Sequence, residues 1–329
     1  MQITLIAGTR PNFVKISPII HAILKKRAAG FSIDYKLVHT GQHYDAKMSG
    51  SFFEELGIPD PNVNLEIGSG TQSEQTATIM VKFERYLMAN PCDLVLVVGD
   101  VNSTMACAIV AKKLNVKLAH VEGGIRSFDN SMPEEINRKI TDSITDLFFT
   151  TSTFANQNLI EEGIKKENIF FVGNVMIDTL LSQKANFKKP DLFNTFHLEE
   201  KKYTVLTLHR PANVDDIEGL ICVLATINKN TKNYPVIFPV HPRTAKILVD
   251  KDLNLNNILF IDPLSYLEFN YLVANSFAVI TDSGGITEET TVLGIPCLTL
   301  RDNTERPETC LIGTNELIGT NPDNLIPAL

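Results

Sequence analysis

Tryptophan is absent from this chain of 329 residues, and cysteine is scarce. The five cysteines, Cys92, Cys107, Cys222, Cys297 and Cys310, are odd in number and form no C-x-x-C pair. That pattern excludes a disulfide framework and reads as reduced core thiols of a cytosolic protein. No apolar run reaches the roughly 18 residues of a membrane span. Met1 leads directly into the apolar run Gln2 to Ala7, so no signal peptide is expected. Positive charge is in deficit, with 30 Lys and Arg against 38 Asp and Glu and a formal net charge of −8. A general nucleic-acid surface is therefore excluded, and any anion must be met by cations gathered locally. The turn after the first strand reads G-T-R-P from Gly8, so the G-x-G-x-x-G fingerprint of dinucleotide binding is missing. There is no Cys/His cluster and no D-x-D at a strand end, so neither a metal nor a cofactor is expected. Low-complexity tracts and short repeats are also lacking.

What remains is ordinary globular composition, 44% hydrophobic and 21% charged, at a length that suggests two domains. Short apolar runs alternate with helical periodicity along the whole chain, which predicts α/β architecture with largely parallel sheets. The first half reads as strands at Gln2 to Ala7, Asp34 to Thr40, Asn62 to Ile67, Asp93 to Val98, Lys117 to Val121, Asp146 to Thr150 and Ile169 to Val172. Gly68 to Gln75 reads as a mobile loop before a helix from Thr76 to Met88. Pro18 is expected to kink the first helix. Gly173-Asn174 reads as a hinge, which places domain boundaries at 1–172 and 173–329. The second half restarts with strands at Tyr203 to Leu208, Val236 to Val240, Ile258 to Ile261, Phe277 to Ile280 and Cys297 to Leu300.

In open parallel sheets ligands bind beyond the carboxyl ends of the strands. The residues found there fall into two sets. The first half offers Arg10 and Lys15 after its first strand, then Asp100, Glu122 and Glu134 on the later turns. The second half offers His209 and Arg210, His241 and Arg243, the run Asp282-Ser283-Gly284-Gly285, and Arg306. The S-G-G turn runs into a helix expected to open at Ile286. Its glycines admit close approach, and the unpaired first N–H groups and helix dipole favour a phosphate. Glu288 and Glu289 follow in the first turn, where a carboxylate could accept hydrogen bonds from a sugar hydroxyl. Facing halves would thus put carboxylates on one wall of a cleft and a nucleotide grip on the other.

Nearly the whole chain resembles the non-hydrolysing UDP-N-acetylglucosamine 2-epimerases. The matching motifs are G-T-R-P at Gly8, T-G-Q-H at Thr40, G-D-V-N-S-T at Gly99, H-V-E-G-G-I-R-S at His120 and M-P-E-E-I-N-R at Met132. Further matches are G-N-V-M-I-D at Gly173, L-H-R at Leu208, T-D-S-G-G-I-T-E-E at Thr281 and L-R-D-N-T-E-R-P at Leu300. The resemblance implies two Rossmann-like domains facing across a cleft in the GT-B arrangement, and a cytoplasmic homodimer. It implies reversible conversion of UDP-N-acetylglucosamine to UDP-N-acetylmannosamine by elimination and re-addition of UDP, supplying cell-surface polysaccharide synthesis. It implies that Asp100, Glu122 and Glu134 are the acid/base carboxylates, with His209 counted as a fourth catalytic residue. Arg10, Lys15, His209, Ser283, Gly284 and Gly285 would hold the diphosphate, Arg210 would bind the substrate, Glu289 the ribose, Leu264 and Phe269 would lie near the uracil, and Arg306 would line the pocket.

The sequence departs from the family at Asn12, where Glu is common, and at Gly123, where Ala is common. It also reads Q-H-Y-D from Gln42 and has Thr71 before Gln72, which argues against activation by a second substrate molecule. The last residues, from Asn321, read as the start of a helix, so terminal helices of the second domain are expected to be missing. Two alternatives share the grip on UDP: an epimerase for UDP-2,3-diacetamido-glucuronic acid, and a GT-B glycosyltransferase, which would need an acceptor groove but not three acids.

Overall fold

Two all-parallel sheets arise from the alternation of apolar runs and helices. The computed structural model describes residues 1–41, 52–214, 216–231, 234–240 and 254–329. His241 and Arg243 lie outside the described residues, as do Gln42, His43, Tyr44 and Asp45. The chain divides into two compact units, Met1–Leu181 and Ser182–Leu329.

The first unit carries strands β1 (Gln2–Ala7), β2 (Asp34–His39), β3 (Val63–Asn64), β4 (Leu94–Val98), β5 (Lys117–Val121), β6 (Leu147–Thr150) and β7 (Ile169–Phe171). Their order is β3-β2-β1-β4-β5-β6-β7. The second unit carries β8 (Thr204–Thr207), β9 (Val236–Pro239), β10 (Ile258–Ile261), β11 (Ala278–Thr281), β12 (Cys297–Thr299) and β13 (Asn315–Leu317), ordered β10-β9-β8-β11-β12-β13. All pairings are parallel. In each unit the strand order reverses once, between β1 and β4 and between β8 and β11. Crevices for ligands open at such reversals.

Alternate residues of a strand face opposite sides of its sheet, and the cores follow that rule. In the second unit Leu206, Phe238 and Ile280 join Leu224 and Ile227 on one face. Their neighbours Val205, Ile237 and Val279 join Leu272 and Val273 on the other. In the first unit Val95 and Val97 pack with Ile79 and Phe83 of the helix Gln72–Ala89 and with Cys107 and Val110 of the helix Asn102–Lys113. Each fully buried side chain of this kind contributes about 1.5–3 kcal/mol.

The structure corrects several sequence expectations. The helix after Gly68 starts at Gln72, not Thr76, because Thr71 accepts the Glu74 N–H while Glu74 accepts the Thr71 N–H. Only Val63–Asn64 of the run from Asn62 to Ile67 is paired as strand. The second sheet gains β13, which is short and mixed in polarity. Ser283 is the N-cap of a helix Gly284–Leu293, so both glycines are already helical.

The helix Arg10–Ala28 continues through Pro18. Proline has no N–H, so the carbonyl of Val14, four residues earlier, loses its helical partner. The hydroxyl of Thr179 donates to that carbonyl at 2.7 Å. A side chain on the helix Val175–Gln183 thereby supplies the missing hydrogen bond, and the first unit reaches Leu181, past Gly173. Thr179 is 1% exposed, so its loss would leave a buried acceptor unsatisfied. Thr179→Val should cost about 1–3 kcal/mol of stability by urea unfolding. An unchanged midpoint would show that Val14 finds another donor.

Candidate active site

In the first unit the reversal point is lined by the turns after β1, β4 and β5. Asn12 joins the first two. Its Oδ1 accepts from the N–H groups of Gly8 (2.9 Å) and Thr9 (3.0 Å), and its Nδ2 donates to the Val98 carbonyl at 3.3 Å. One turn further along the helix, Lys15 pairs with Glu122. Both are buried, at 8% and 6% exposure. A Cβ built on Gly99 would lie 2.9 Å from Lys15 Nζ and 3.4 Å from Glu122 Oε2, so the ion pair sits against the Gly99 backbone. Glu122 holds a positive φ of 74°, a conformation that costs a non-glycine residue of order 1–3 kcal/mol.

A buried network fixes this strained turn. His120 places Nδ1 2.6 Å from Asp142 Oδ1 and Nε2 2.8 Å from the Gly99 carbonyl. Asp142 also accepts from the Gly124 N–H at 2.9 Å and pairs with Arg126 at 2.7 Å. Burial alone would drive His120 neutral, but Asp142 and the Gly99 carbonyl raise its pKa. Burial likewise opposes the Asp142 carboxylate, yet His120 and Arg126 hold its pKa below the usual range. With acceptors at both ring nitrogens, His120 fits as an imidazolium that ties β5 to the Gly99-Asp100 turn.

Asp100 Oδ2 receives Arg138 Nη2 at 2.5 Å and Nε at 3.0 Å. Arg138 stands on the helix Pro133–Ile144, whose first turn carries Glu134 and Glu135. The two glutamates differ sharply. Glu135 is fully buried and accepts from the Ser127 N–H and hydroxyl, the Phe128 N–H and Arg138. Burial disfavours its charge, but those donors lower its pKa. Its bonding is saturated, whereas Glu134 is half-buried and available. Arg10 opens the first helix, is exposed, and lies over the Phe52 ring at 5.4 Å.

In the second unit the turn after β8 meets the turn after β11 through Asp282. Its carboxylate accepts from the N–H groups of His209 (3.0 Å) and Arg210 (2.9 Å) and from Asn213 Nδ2 (3.0 Å). It also lies 2.7 Å from His209 Nδ1. Burial pushes this acid up, but His209, Asn213 and Arg210 outweigh it and hold the pKa at about 2. Arg210 Nε donates to the Asp282 carbonyl at 3.0 Å, and Arg210 Nη2 lies 3.8 Å from Glu305 Oε1. Glu305 binds Arg301 at 2.5 Å. A Cβ on Gly284 would meet Glu305 Oε1 at 2.8 Å, so a side chain there would make that carboxylate shift away from the helix start. Arg306 pairs with Glu288 at 2.8 Å. Leu264 and Phe269 are half-buried against the cluster around Leu272 and Val279.

Sequence reading placed Asp100, Glu122, Lys15, His209, Arg210 and the S-G-G run at the carboxyl ends of strands, and the strand order puts those ends around the two reversals. It missed Arg138, Asp142, the anchoring role of Asp282, and Glu305. Arg138 and Glu305 stood inside quoted motifs, but nothing local marked what they would touch.

Glu289 is 5% exposed. Burial, with Glu288 beside it, pushes its carboxyl up to about 8 from an ordinary 4.5. The folded state therefore binds an extra proton between those values, and stability falls as pH rises through that window. Relative to Glu289→Gln, the wild-type protein should lose roughly 2–5 kcal/mol of unfolding free energy between about pH 5 and about pH 8.5. A difference that does not change with pH would refute the raised pKa.

The family model described as UDP-N-acetylglucosamine 2-epimerase matches residues 25–329. A UDP-N-acetylglucosamine 2-epimerase of Methanocaldococcus jannaschii is 44% identical over 100% of this chain and 91% of its own length. A UDP-2,3-diacetamido-2,3-dideoxy-D-glucuronate 2-epimerase of Pseudomonas aeruginosa is 39% identical over 99% of this chain and 90% of its own. The crystal structure of the Methanocaldococcus jannaschii enzyme in complex with UDP-GlcNAc and UDP superposes with a TM-score of 0.90, covering 100% of this chain and 91% of that one.

Proposed function

This chain belongs to the UDP-N-acetylglucosamine 2-epimerase family, and we propose that it interconverts UDP-N-acetylglucosamine and UDP-N-acetylmannosamine without a cofactor. The reading extends to a cytoplasmic homodimer that supplies cell-surface polysaccharide synthesis. Among the described residues no helix is long and apolar enough to cross a membrane.

The C2 proton of an acetamido sugar is not acidic, because no carbonyl adjoins C2. Elimination avoids that difficulty. A carboxylate takes the C2 proton, the C1–O bond breaks with its electron pair going to the diphosphate, and a glucal-like alkene remains. UDP then adds back to C1 after a proton reaches the opposite face of C2. This requires proton-transfer groups on both faces, and cations and N–H donors that bind the diphosphate more strongly as its charge grows.

Asp100, Glu122 and Glu134 are the proposed acid/base groups, with Arg10 and Lys15 as nearby cations. His209, Arg210, Ser283, Gly284 and Gly285 are proposed to hold the diphosphate and Glu289 the ribose. Leu264 and Phe269 would take the uracil, and Arg306 would line the same pocket. The observation that carries the reading is the handling of the acids. Asp100 and Glu122 are each paired with a cation on a neighbouring element, Arg138 and Lys15, at the carboxyl edge of β4 and β5. Glu134, one turn before Arg138 on the same helix, is half-buried, while its neighbour Glu135 is consumed by structure.

Proton NMR of the protein with UDP-N-acetylglucosamine in heavy water should show the manno product with deuterium at C2. No exchange, or turnover only with an added acceptor, would favour a glycosyltransferase. Exchange only with UDP-2,3-diacetamido-glucuronic acid would move the substrate assignment. Asp100→Asn, Glu122→Gln and Glu134→Gln should each lower kcat by about 10²–10⁴-fold while UDP still binds. Wild-type rates in all three would end the acid/base assignment.

A further inference from the structure

We propose that Asp282 is a positioning residue that sets the tautomer of His209, so that Nε2 is the ring atom presented to the diphosphate. This rests on the reading of His209 as a diphosphate-side group. It adds a residue that acts through His209 without touching substrate.

The argument begins with a donor census. The Asp282 side chain is 0% exposed. The groups around its carboxylate are the N–H groups of His209 and Arg210, Asn213 Nδ2 and His209 Nδ1. The first three can only donate, and an ionised carboxylate can only accept. Burial works against that ionisation, but the surrounding donors hold the acid well below the usual range. His209 Nδ1, 2.7 Å from Oδ1, therefore carries a hydrogen in the neutral ring as well as in the cation. The His209 side chain is 63% exposed, so Nε2 is the atom left to exchange its proton.

One ring nitrogen thus stays fixed while the other gains or gives a proton, with no rotation of the ring. As the C1–O bond breaks, its electron pair passes to the diphosphate oxygen and the C2 proton passes to a carboxylate. When Nε2 carries a proton, its N–H is the donor presented to the growing diphosphate charge. Among the described residues, the charged groups linked to this corner by ion pairs are Arg210, Glu305 and Arg301, joined in that order at 3.8 and 2.5 Å.

Asp282→Asn gives a directional test. The Asn oxygen must stay toward the Arg210 N–H and Asn213, because an amide NH₂ there would face donors. Its NH₂ then faces His209 Nδ1, which must accept. The neutral ring is forced into the Nε2–H tautomer, and the cation would set two donors against each other.

The test is long-range ¹H–¹⁵N NMR on ¹⁵N-histidine-labelled protein above the histidine titration range, with His209→Gln to assign the signals. The wild-type spectrum should show Nδ1 protonated and Nε2 bearing the lone pair. The opposite tautomer in the wild type overturns the proposal, and this holds even if the variant fails to fold. In folded Asp282→Asn the tautomer should reverse, and kcat should fall about 10²–10⁴-fold with a much smaller change in KM. An unchanged tautomer and an unchanged kcat would also overturn it. The tautomer is read without turnover. A protein that fails to exchange C2 but shows Nδ1–H has therefore lost the functional reading, not the Asp282–His209 geometry.

Discussion

Reversal of strand order is the constraint from which the rest follows. When every strand is parallel, all carboxyl ends share one edge. Where the order reverses, the turns on the two sides lead to helices on opposite faces and leave a gap. Here each gap is closed by one buried side chain from one turn bonding to the other. Asn12 spans from the Gly8-Thr9 amides to the Val98 carbonyl, and Asp282 gathers the His209-Arg210 amides. The two units solve the same geometrical problem with an amide in one case and a carboxylate in the other. The choice follows the demand. Asn12 must give and receive, whereas Asp282 meets only donors.

The second organising feature is how charge is buried. Lys15–Glu122, His120–Asp142–Arg126, Glu135–Arg138, Arg301–Glu305 and Arg306–Glu288 are all ion pairs with little exposure. Such pairs add little net stability, because desolvation offsets most of the attraction. Their effect is geometric. Removing one partner strands a charge, so each pair allows only one arrangement of the turns it joins.

Much of this was legible in sequence, and the boundary is physical. Strong apolar runs such as Leu94–Val98 declare a buried strand, and Gly99-Asp100 after it declares a turn at the carboxyl edge. The short strand Asn315–Leu317 was not legible, because pairing with β12 gives it strand geometry that its own composition does not demand. Neither was the role of Asp142. It sits in a polar helical stretch, and its partner His120 is 22 residues away in sequence. Glu134 and Glu135 are adjacent and chemically alike. Only the packing of Ser127 and Phe128 against one of them separates an available acid from a structural one.

The hydrogen bond from Thr179 to Val14 joins residues 165 positions apart. At a synthesis rate of about 5–20 residues per second, that interval is roughly 10–30 s of translation. Throughout it the Val14 carbonyl of the first helix lacks its donor from the chain, and the whole first sheet is synthesised before Thr179. The amino-terminal body is thus latched late, by the same segment that leads into the second body. A free chain ending just before residue 179 would contain every strand of the first sheet and still leave the Val14 carbonyl open to solvent.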